Sequence, residues 1–141
     1  MDVRTNLVSI RELEKVPADG GEVLHVINSN TEQFNGFKEA YFSIINPGHT
    51  KAWKLHKKMT MNLVVPIGSV QFIFYTIEKE LILNAIIGKD NYSLITVKPG
   101  VWFGFKGLSK EESYVLNIAN IIHDPNEVER KPSSFLKFLS I

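Results

Sequence analysis

Short apolar segments separated by turn-forming residues recur along the chain. They are rich in Val, Ile, Phe and Tyr, and they return at intervals of about 8–12 residues, as in sandwiches and barrels. No long stretch places its apolar residues at helical spacing. The pattern predicts β-strands over 22–27, 39–45, 62–65, 70–75, 81–87, 93–97, 101–105 and 113–119. We therefore expect an all-β jelly roll.

Length and composition predict a single domain over residues 1–141. The chain is 44% hydrophobic and 22% charged, which is the balance of an ordinary globular domain with a core of its own. We expect this core over about 18–125, followed by a polar surface excursion over 126–132. The tail over 134–141 is strongly apolar, so it should dock on its own domain or on a second subunit.

Charge and cysteine content narrow the possible partners. The formal net charge is +1, which gives no global field for nucleic acid or an anionic membrane. There is no cysteine, which excludes a disulfide framework and a thiolate nucleophile. The first residues, 1–5, contain no apolar core of signal-peptide length, and no apolar run approaches the length that spans a bilayer. We expect a cytoplasmic protein.

The stretch over 47–70 is the part of the sequence richest in candidate chemistry. A Pro-Gly turn opens it, a segment loaded with His, Trp and Lys follows, and an apolar strand ends at a Pro-x-Gly turn. Polar groups that can move protons therefore precede a rigid hydrophobic strand. Since alternate residues of a strand point into the interior of a barrel, this arrangement predicts a binding pocket.

Three blocks of sequence carry a resemblance to a known family. They are Trp53-Lys54-Leu55-His56 with the strand and turn over 64–70, the segment 94–108 around Pro99-Gly100-Val101-Trp102-Phe103-Gly104-Phe105, and the segment 117–125 ending in His123-Asp124-Pro125. Together they resemble the cupin-fold dTDP-4-dehydrorhamnose 3,5-epimerase family and its sugar-nucleotide relatives. The resemblance spans roughly residues 18–131 and implies a double-stranded β-helix.

The resemblance implies proton transfer at a carbon next to a keto group. In that family a His is the base, an acidic side chain holds it, a Lys lies near the developing enolate, and a Tyr returns a proton from the other face. His56 matches the base. The Lys position falls near Met61, a second His position is Phe103, and the Tyr positions fall on Ile121 and Ile122. The acidic partner has no obvious counterpart in the sequence.

The remaining candidates come from the residues around these blocks. His123 stands just after the Tyr positions and is a candidate acid, as are Tyr75 and Tyr114 on predicted central strands. Each candidate also has a structural interpretation, because aromatic residues on strands are usually core residues and a turn lysine is usually solvated. We predict catalytic roles for His56, His123 and Tyr114, and substrate contacts for Trp53, Lys54, Asn62, Tyr75, Trp102 and Lys106.

These features favour an isomerase or epimerase acting on a nucleotide-activated keto sugar in polysaccharide or deoxysugar biosynthesis. The alternative is a cupin that binds a sugar or sugar nucleotide without turnover, because several family positions are altered. A metal-dependent cupin is a weaker alternative, since His49 and His56 lie seven residues apart rather than two. We expect no metal, no cofactor, no nucleic-acid or membrane partner, and a homodimer that covers the apolar tail.

Overall fold

The chain folds into two facing antiparallel sheets and one small hairpin. The computed structural model describes residues 6–141, so residues 1–5 of the predicted domain, and the expectation that they form no signal peptide, lie outside the described residues. Within that range the strands are β1 Val8–Glu12, β2 Lys15–Ala18, β3 Gly21–Leu24, β4 Glu39–Ile45, β5 Thr50–His56, β6 Met61–Ile67, β7 Ser69–Tyr75, β8 Leu81–Gly88, β9 Ser93–Val97, β10 Trp102–Gly107, β11 Ser113–Ala119 and β12 Val128–Arg130.

The first sheet has the strand order β1-β9-β6-β11-β4 and the second has the order β12-β5-β10-β7-β8, while β2 pairs with β3. Consecutive strands often lie in different sheets, as a jelly roll requires. The predicted all-β jelly roll is confirmed. The predicted bounds match β4, β9 and β11, and the predicted strand over 22–27 is shifted and shortened to β3. The sequence pattern did not predict β1, β2, β5 and β12.

The main hydrophobic core fills the space between the two sheets. The first sheet contributes the inward side chains of β6, β9 and β11, and the second contributes those of β7 and β10. Along β7, residues 70, 72 and 74 all enter this core, as the alternation in the sequence predicted. Four aromatic rings of β7 and β10 pack against one another in this core; they are Phe72, Phe74, Phe103 and Phe105.

The C-terminal tail packs on the outer face of the second sheet. Leu136, Phe135 and Phe138 join a second cluster with Trp53 and Trp102. The tail is also held through its main chain, because the Trp53 indole N–H donates to the carbonyls of residues 133 and 136. Of the two expected docking sites for the tail, the structure shows the one on its own domain.

The segment expected as a polar excursion is in part an element of the fold. A short 3-10 helix, Pro125–Glu127, precedes β12, which pairs with β5 at the sheet edge. The carboxylate of Asp124 caps this helix by accepting from the backbone N–H of Asn126. Glu127 is 3% exposed, so this segment sends one acidic side chain into the interior.

No helix within residues 6–141 has the length and apolar character needed to cross a membrane.

Candidate active site

A cavity of about 450 Å³ opens between the two sheets. One part of its wall is apolar, formed by Met61, Leu63, Phe72, Phe103, Phe105 and Val115. Both sheets also contribute polar side chains to the lining, which are Tyr41, Ser43, Lys51, Lys54, His56, Asn117, Arg130 and Lys131; Ala52 and Trp53 complete it. An apolar cavity with a few convergent polar groups is the usual form of a small-molecule site.

His56, which lines the cavity, forms a buried pair with Glu127. The Nδ1 atom of His56 is hydrogen-bonded to Oε1 of Glu127, and both side chains are almost fully buried. The second carboxylate oxygen accepts from the backbone N–H groups of Lys58 and Met59, at 2.9 and 3.3 Å. Both oxygens of Glu127 are therefore held, and they fix the orientation of the imidazole.

The other ring nitrogen of His56 differs from Nδ1 in its surroundings. The ring lines the cavity and stacks on Phe103, with a centroid separation of 5.9 Å and an interplanar angle of 13°. Its Nε2 atom is buried and has no hydrogen-bond partner among residues 6–141. A buried polar atom without a partner costs stability unless something bound supplies one.

The environment sets the protonation of this pair. Burial lowers the pKa of the His56 imidazole below its ordinary value, although the hydrogen bond and charge of Glu127 raise it. Burial raises the pKa of the Glu127 carboxyl, but hydrogen bonds from His56 and from the backbone of Lys58 and Met59 bring the net pKa below its ordinary value. The lowered pKa favours the neutral imidazole, and a carboxylate oxygen at Nδ1 favours the tautomer that carries its proton there.

Tyr41 and Asn117 lie on the facing sheet. Tyr41 on β4 and Asn117 on β11 are direct partners in the strand register, and the Asn117 Nδ2 donates to the Tyr41 hydroxyl at 3.0 Å. Burial raises the pKa of the Tyr41 phenol above its ordinary value, and the charges of Glu39 and Glu127 add to the rise, while the Asn117 hydrogen bond lowers it. Tyr41 is therefore a protonated phenol at neutral pH.

Four cationic side chains gather at the same cavity. Lys54 and Arg130 are direct partners in the pairing of β5 with β12, and Lys51 and Lys131 line the wall nearby. Burial lowers the pKa of the Lys54 ammonium, and the positive charges of Arg130 and Lys51 lower it further. Like charges held this close together are relieved by an anion, so the arrangement suits an anionic group of a ligand.

The structure brings three of the nine predicted site residues to the cavity. His56, Lys54 and Trp53 line it. Asn62 is buried on the other face of its strand, where its side chain accepts from Thr96 and donates to the carbonyl of Gln33. The remaining predicted residues are absent from the described cavity wall; they are Tyr75, Trp102, Lys106, Tyr114 and His123.

Those residues have other contacts. The rings of Tyr75 and Trp102 lie under the tail, and the Tyr75 hydroxyl donates to the carbonyl of Lys137. The ring of Tyr114 packs edge-on against Phe42. His123 is exposed, and its backbone N–H donates to Glu39. No acidic partner of His56 was predicted from the sequence, and the structure places the carboxylate of Glu127 against its Nδ1.

Within residues 6–141 no group of three or more His, Asp or Glu side chains is arranged to hold a metal ion.

Comparison with known proteins identifies the family of the chain. No protein-family model matches the chain. The crystal structure of a dTDP sugar isomerase from Desulfovibrio desulfuricans G20 is 35% identical, with a TM-score of 0.86, and the match covers 94% of this chain and 89% of that protein. The chain belongs to the family of dTDP-sugar isomerases and epimerases. The resemblance found in the sequence is thereby confirmed.

Two further proteins are more distantly similar to the chain. The probable low-salt glycan biosynthesis epimerase Agl13 of Haloferax volcanii is 26% identical, covering 89% of this chain and 86% of Agl13. The dTDP-4-dehydrorhamnose 3,5-epimerase of Sulfolobus tokodaii is 15% identical with a TM-score of 0.80, covering 98% of this chain and 82% of that enzyme, and it shows the shared cupin fold. Relatives of this dTDP-sugar family are thus sugar-nucleotide isomerases and epimerases of deoxysugar and glycan biosynthesis.

Proposed function

We propose that this protein is an epimerase-type enzyme that acts on a nucleotide-activated keto sugar, with His56 as the general base. One observation carries the proposal: the imidazole lines the cavity and is held by Glu127 through Nδ1, and its buried Nε2 has no hydrogen-bond partner in the described part of the chain, residues 6–141. Burial also keeps this imidazole neutral near pH 7. A neutral, oriented imidazole with a free lone pair is what a general base requires.

In the proposed reaction Nε2 takes a proton from the carbon next to the sugar carbonyl. The electron pair of that C–H bond forms a carbon–carbon double bond, and the carbonyl oxygen becomes an enolate. The positive charge gained by His56 is stabilised by Glu127, whose pKa is held low by its hydrogen bonds. A proton returned to the carbon re-forms the carbonyl.

Tyr41 is the proposed acid. It is the one phenol in the described wall of the cavity, and burial keeps it protonated. His56 lies on β5 of the second sheet and Tyr41 on β4 of the first, so the two residues reach a bound sugar ring from opposite sheets. A base and an acid on opposite sides of a carbon invert its configuration. This placement favours Tyr41 over Tyr114 and His123, which are absent from the described wall.

The cationic side chains are proposed to bind the diphosphate of the nucleotide. Lys51, Lys54, Arg130 and Lys131 supply donors suited to phosphate oxygens, and Arg130 can bind two oxygens at once. Because the related Desulfovibrio protein is a dTDP sugar isomerase, a dTDP-linked sugar is the first substrate to test. Deoxysugar or polysaccharide biosynthesis is the corresponding proposed role.

The second candidate is a sugar-nucleotide binding protein without turnover. It is favoured by Met61 and Phe103, which place apolar side chains in the cavity at positions where the resemblance implies a Lys and a His. Such a protein would bind the same ligands through the same cations. It would lack any reaction at the sugar.

A panel of dTDP-, UDP-, GDP- and CDP-linked 4-keto-6-deoxy sugars tests both candidates. Selective thermal stabilisation by one nucleotide series identifies the ligand class, because a ligand that binds the folded state raises the melting temperature. We expect the dTDP series to stabilise the protein and to give new sugar isomers by NMR. Stabilisation without isomer formation supports the binding protein. If millimolar ligand gives neither stabilisation nor new isomers, both candidates are contradicted.

We also propose a homodimer. The tail is covered by its own domain, so the apolar surface that needs a partner lies elsewhere. Phe42, Ile44 and Ile67 are 58%, 43% and 54% exposed around the edge strand β4. A sheet edge flanked by exposed apolar side chains suits pairing across a two-fold axis. We expect Phe42→Glu to halve the mass measured by light scattering and Ile77→Glu, which alters an exposed residue elsewhere, to leave it unchanged.

A further inference from the structure

Asn117 is a buried polar residue of the cavity lining. It lies on β11, its side chain is 3% exposed, and it lines the cavity beside Tyr41. An asparagine in the interior of a sheet is costly unless its amide is fully hydrogen-bonded. This amide is bonded at one end only, because its Oδ1 is buried without a partner among residues 6–141.

Met59 fixes which end of the amide faces Tyr41. The Asn117 Nδ2 lies 3.0 Å from the Tyr41 hydroxyl and 3.6 Å from the Met59 sulfur. A thioether sulfur accepts hydrogen bonds and cannot donate them, so the end of the amide that faces it is the NH₂ group. The Tyr41 oxygen is consequently the acceptor in its contact with Asn117.

This direction leaves the Tyr41 proton available. A phenol that accepts from Asn117 still carries its own O–H, which is free to donate to a molecule in the cavity. After the proton is given up, the same Asn117 N–H stabilises the phenolate that remains. The backbone N–H of Met59 donates to Glu127, the residue that also holds His56. Met59 therefore links the residue that holds the proposed base to Asn117, which contacts the proposed acid.

We propose that Asn117 is a positioning residue that makes Tyr41 a proton donor, and that its Oδ1 accepts a hydrogen bond from a hydroxyl of the bound sugar. The inference rests on the proposed function and adds to it. In the step concerned, the Tyr41 O–H bond breaks, the proton goes to the enolate carbon, and the bond electrons stay on the phenolate oxygen. Solvent then returns a proton to Tyr41 and takes one from His56.

A double-mutant cycle on the full-length protein tests the proposal. The variants are Asn117→Leu, Tyr41→Phe and the double variant, assayed on a dTDP-linked 4-keto-6-deoxy sugar by NMR. We expect Tyr41→Phe to lower kcat by about 100-fold or more. Asn117→Leu should lower kcat about tenfold when Tyr41 is present and less than about twofold in the Tyr41→Phe background, because it acts through Tyr41.

The change in KM tests the role of the Asn117 Oδ1, whereas the change in kcat tests the role of its Nδ2. Loss of Oδ1 should raise KM about tenfold in both backgrounds, because this contact is made with the substrate rather than with Tyr41. Val115→Ala is the matched control: it changes an apolar residue of the same strand and the same cavity wall. Its effect on kcat should be the same factor in both backgrounds. If Asn117→Leu does not fold, Asn117→Ser replaces it with the same expectations.

The outcomes distinguish this inference from the proposed function. An equal kcat factor for Asn117→Leu in both backgrounds, or no effect of Tyr41→Phe, overturns the positioning role. An unchanged KM overturns the contact from Oδ1. Either result with an active wild type leaves the role of His56 intact. A wild type that transforms none of the keto sugars overturns the proposed function and this inference with it.

Discussion

His56 and Glu127 are separated by 71 positions in the chain, and their side chains meet in a hydrogen bond inside the protein. The pairing of β12 with β5 brings them together, because Val128, the residue after Glu127, is the register partner of His56. The backbone N–H groups of Lys58 and Met59 hold the other carboxylate oxygen. These hydrogen bonds orient the imidazole that we propose as the base.

The role of Glu127 can be tested by replacing its charge. We expect Glu127→Gln to fold and to lose kcat by about 100-fold or more, since the Gln amide can donate to Nδ1 and force the proton onto Nε2. Glu129→Gln is the control: Glu129 lies two residues further along the chain, in β12, is about half exposed, and forms a surface pair with Lys57 at 3.7 Å. Full activity of Glu127→Gln would show that the pair does not orient a base.

The pH dependence of kcat/KM follows from the environment of His56. The base must be unprotonated, and burial lowers the pKa of its imidazole below the ordinary value of about 6.5. Activity should therefore be retained as the pH falls to 6.5 and be lost only below it. Glu127→Gln removes the charge that raises the pKa of His56, so the acid limb of this variant should lie at lower pH than that of the wild type. An acid limb centred above pH 6.5 for the wild type would contradict the account.

Gly104 allows β5 and β10 to approach each other. A Cβ atom at this position would lie 2.7 Å from the Ala52 Cβ and 3.0 Å from the Trp53 ring. Gly104→Ala should lower the free energy of unfolding by about 1–3 kcal/mol in urea denaturation. Gly21→Ala, where no atom lies within 4 Å of the added Cβ, should change it far less. Equal changes in the free energy of unfolding for Gly104→Ala and Gly21→Ala would show that a Cβ atom at position 104 is not crowded.

The tail should contribute to stability through its apolar contacts. Leu136 is 8% exposed in the cluster formed with Trp53 and Trp102. Leu136→Ala should lower the free energy of unfolding by about 2 kcal/mol or more, as measured by urea denaturation. Leu108→Ala, at a position 41% exposed, is the control and should have little effect. If the tail contributes nothing to stability, Leu136→Ala and Leu108→Ala will change the free energy of unfolding equally.

Much of the fold could be predicted because most strands carry an apolar pattern of their own. Strands β4, β9 and β11 were predicted at their observed bounds, since each is bounded by turn residues. Strand β5 was missed because its sequence, Thr50–His56, is rich in Lys and His. Those polar residues line the cavity, and their polarity removes the apolar pattern from which a strand is predicted. Strand β12 is three residues long and too short to give a pattern.

Of the predicted site residues, the structure brings only His56, Lys54 and Trp53 to the cavity. His56 was found because it lies within a motif shared with a known family. Glu127 was missed because only the pairing of β12 with β5 brings it to His56, and its polar surroundings in the sequence indicated a surface segment. Tyr41 and Phe42 are neighbours on a strand that is apolar on both faces, so alternation alone did not tell which ring faces the cavity.

The most direct test of the central claim is exchange of solvent deuterium into the substrate. Wild-type protein and His56→Gln are incubated in deuterium oxide with a dTDP-linked 4-keto-6-deoxy sugar, and the protons next to the carbonyl are followed by NMR. His49→Gln, which changes an exposed turn residue, is the control. We predict exchange by the wild type and the control, and a rate lower by about 100-fold or more for His56→Gln. Exchange at the wild-type rate by His56→Gln would contradict the assignment of His56 as the base.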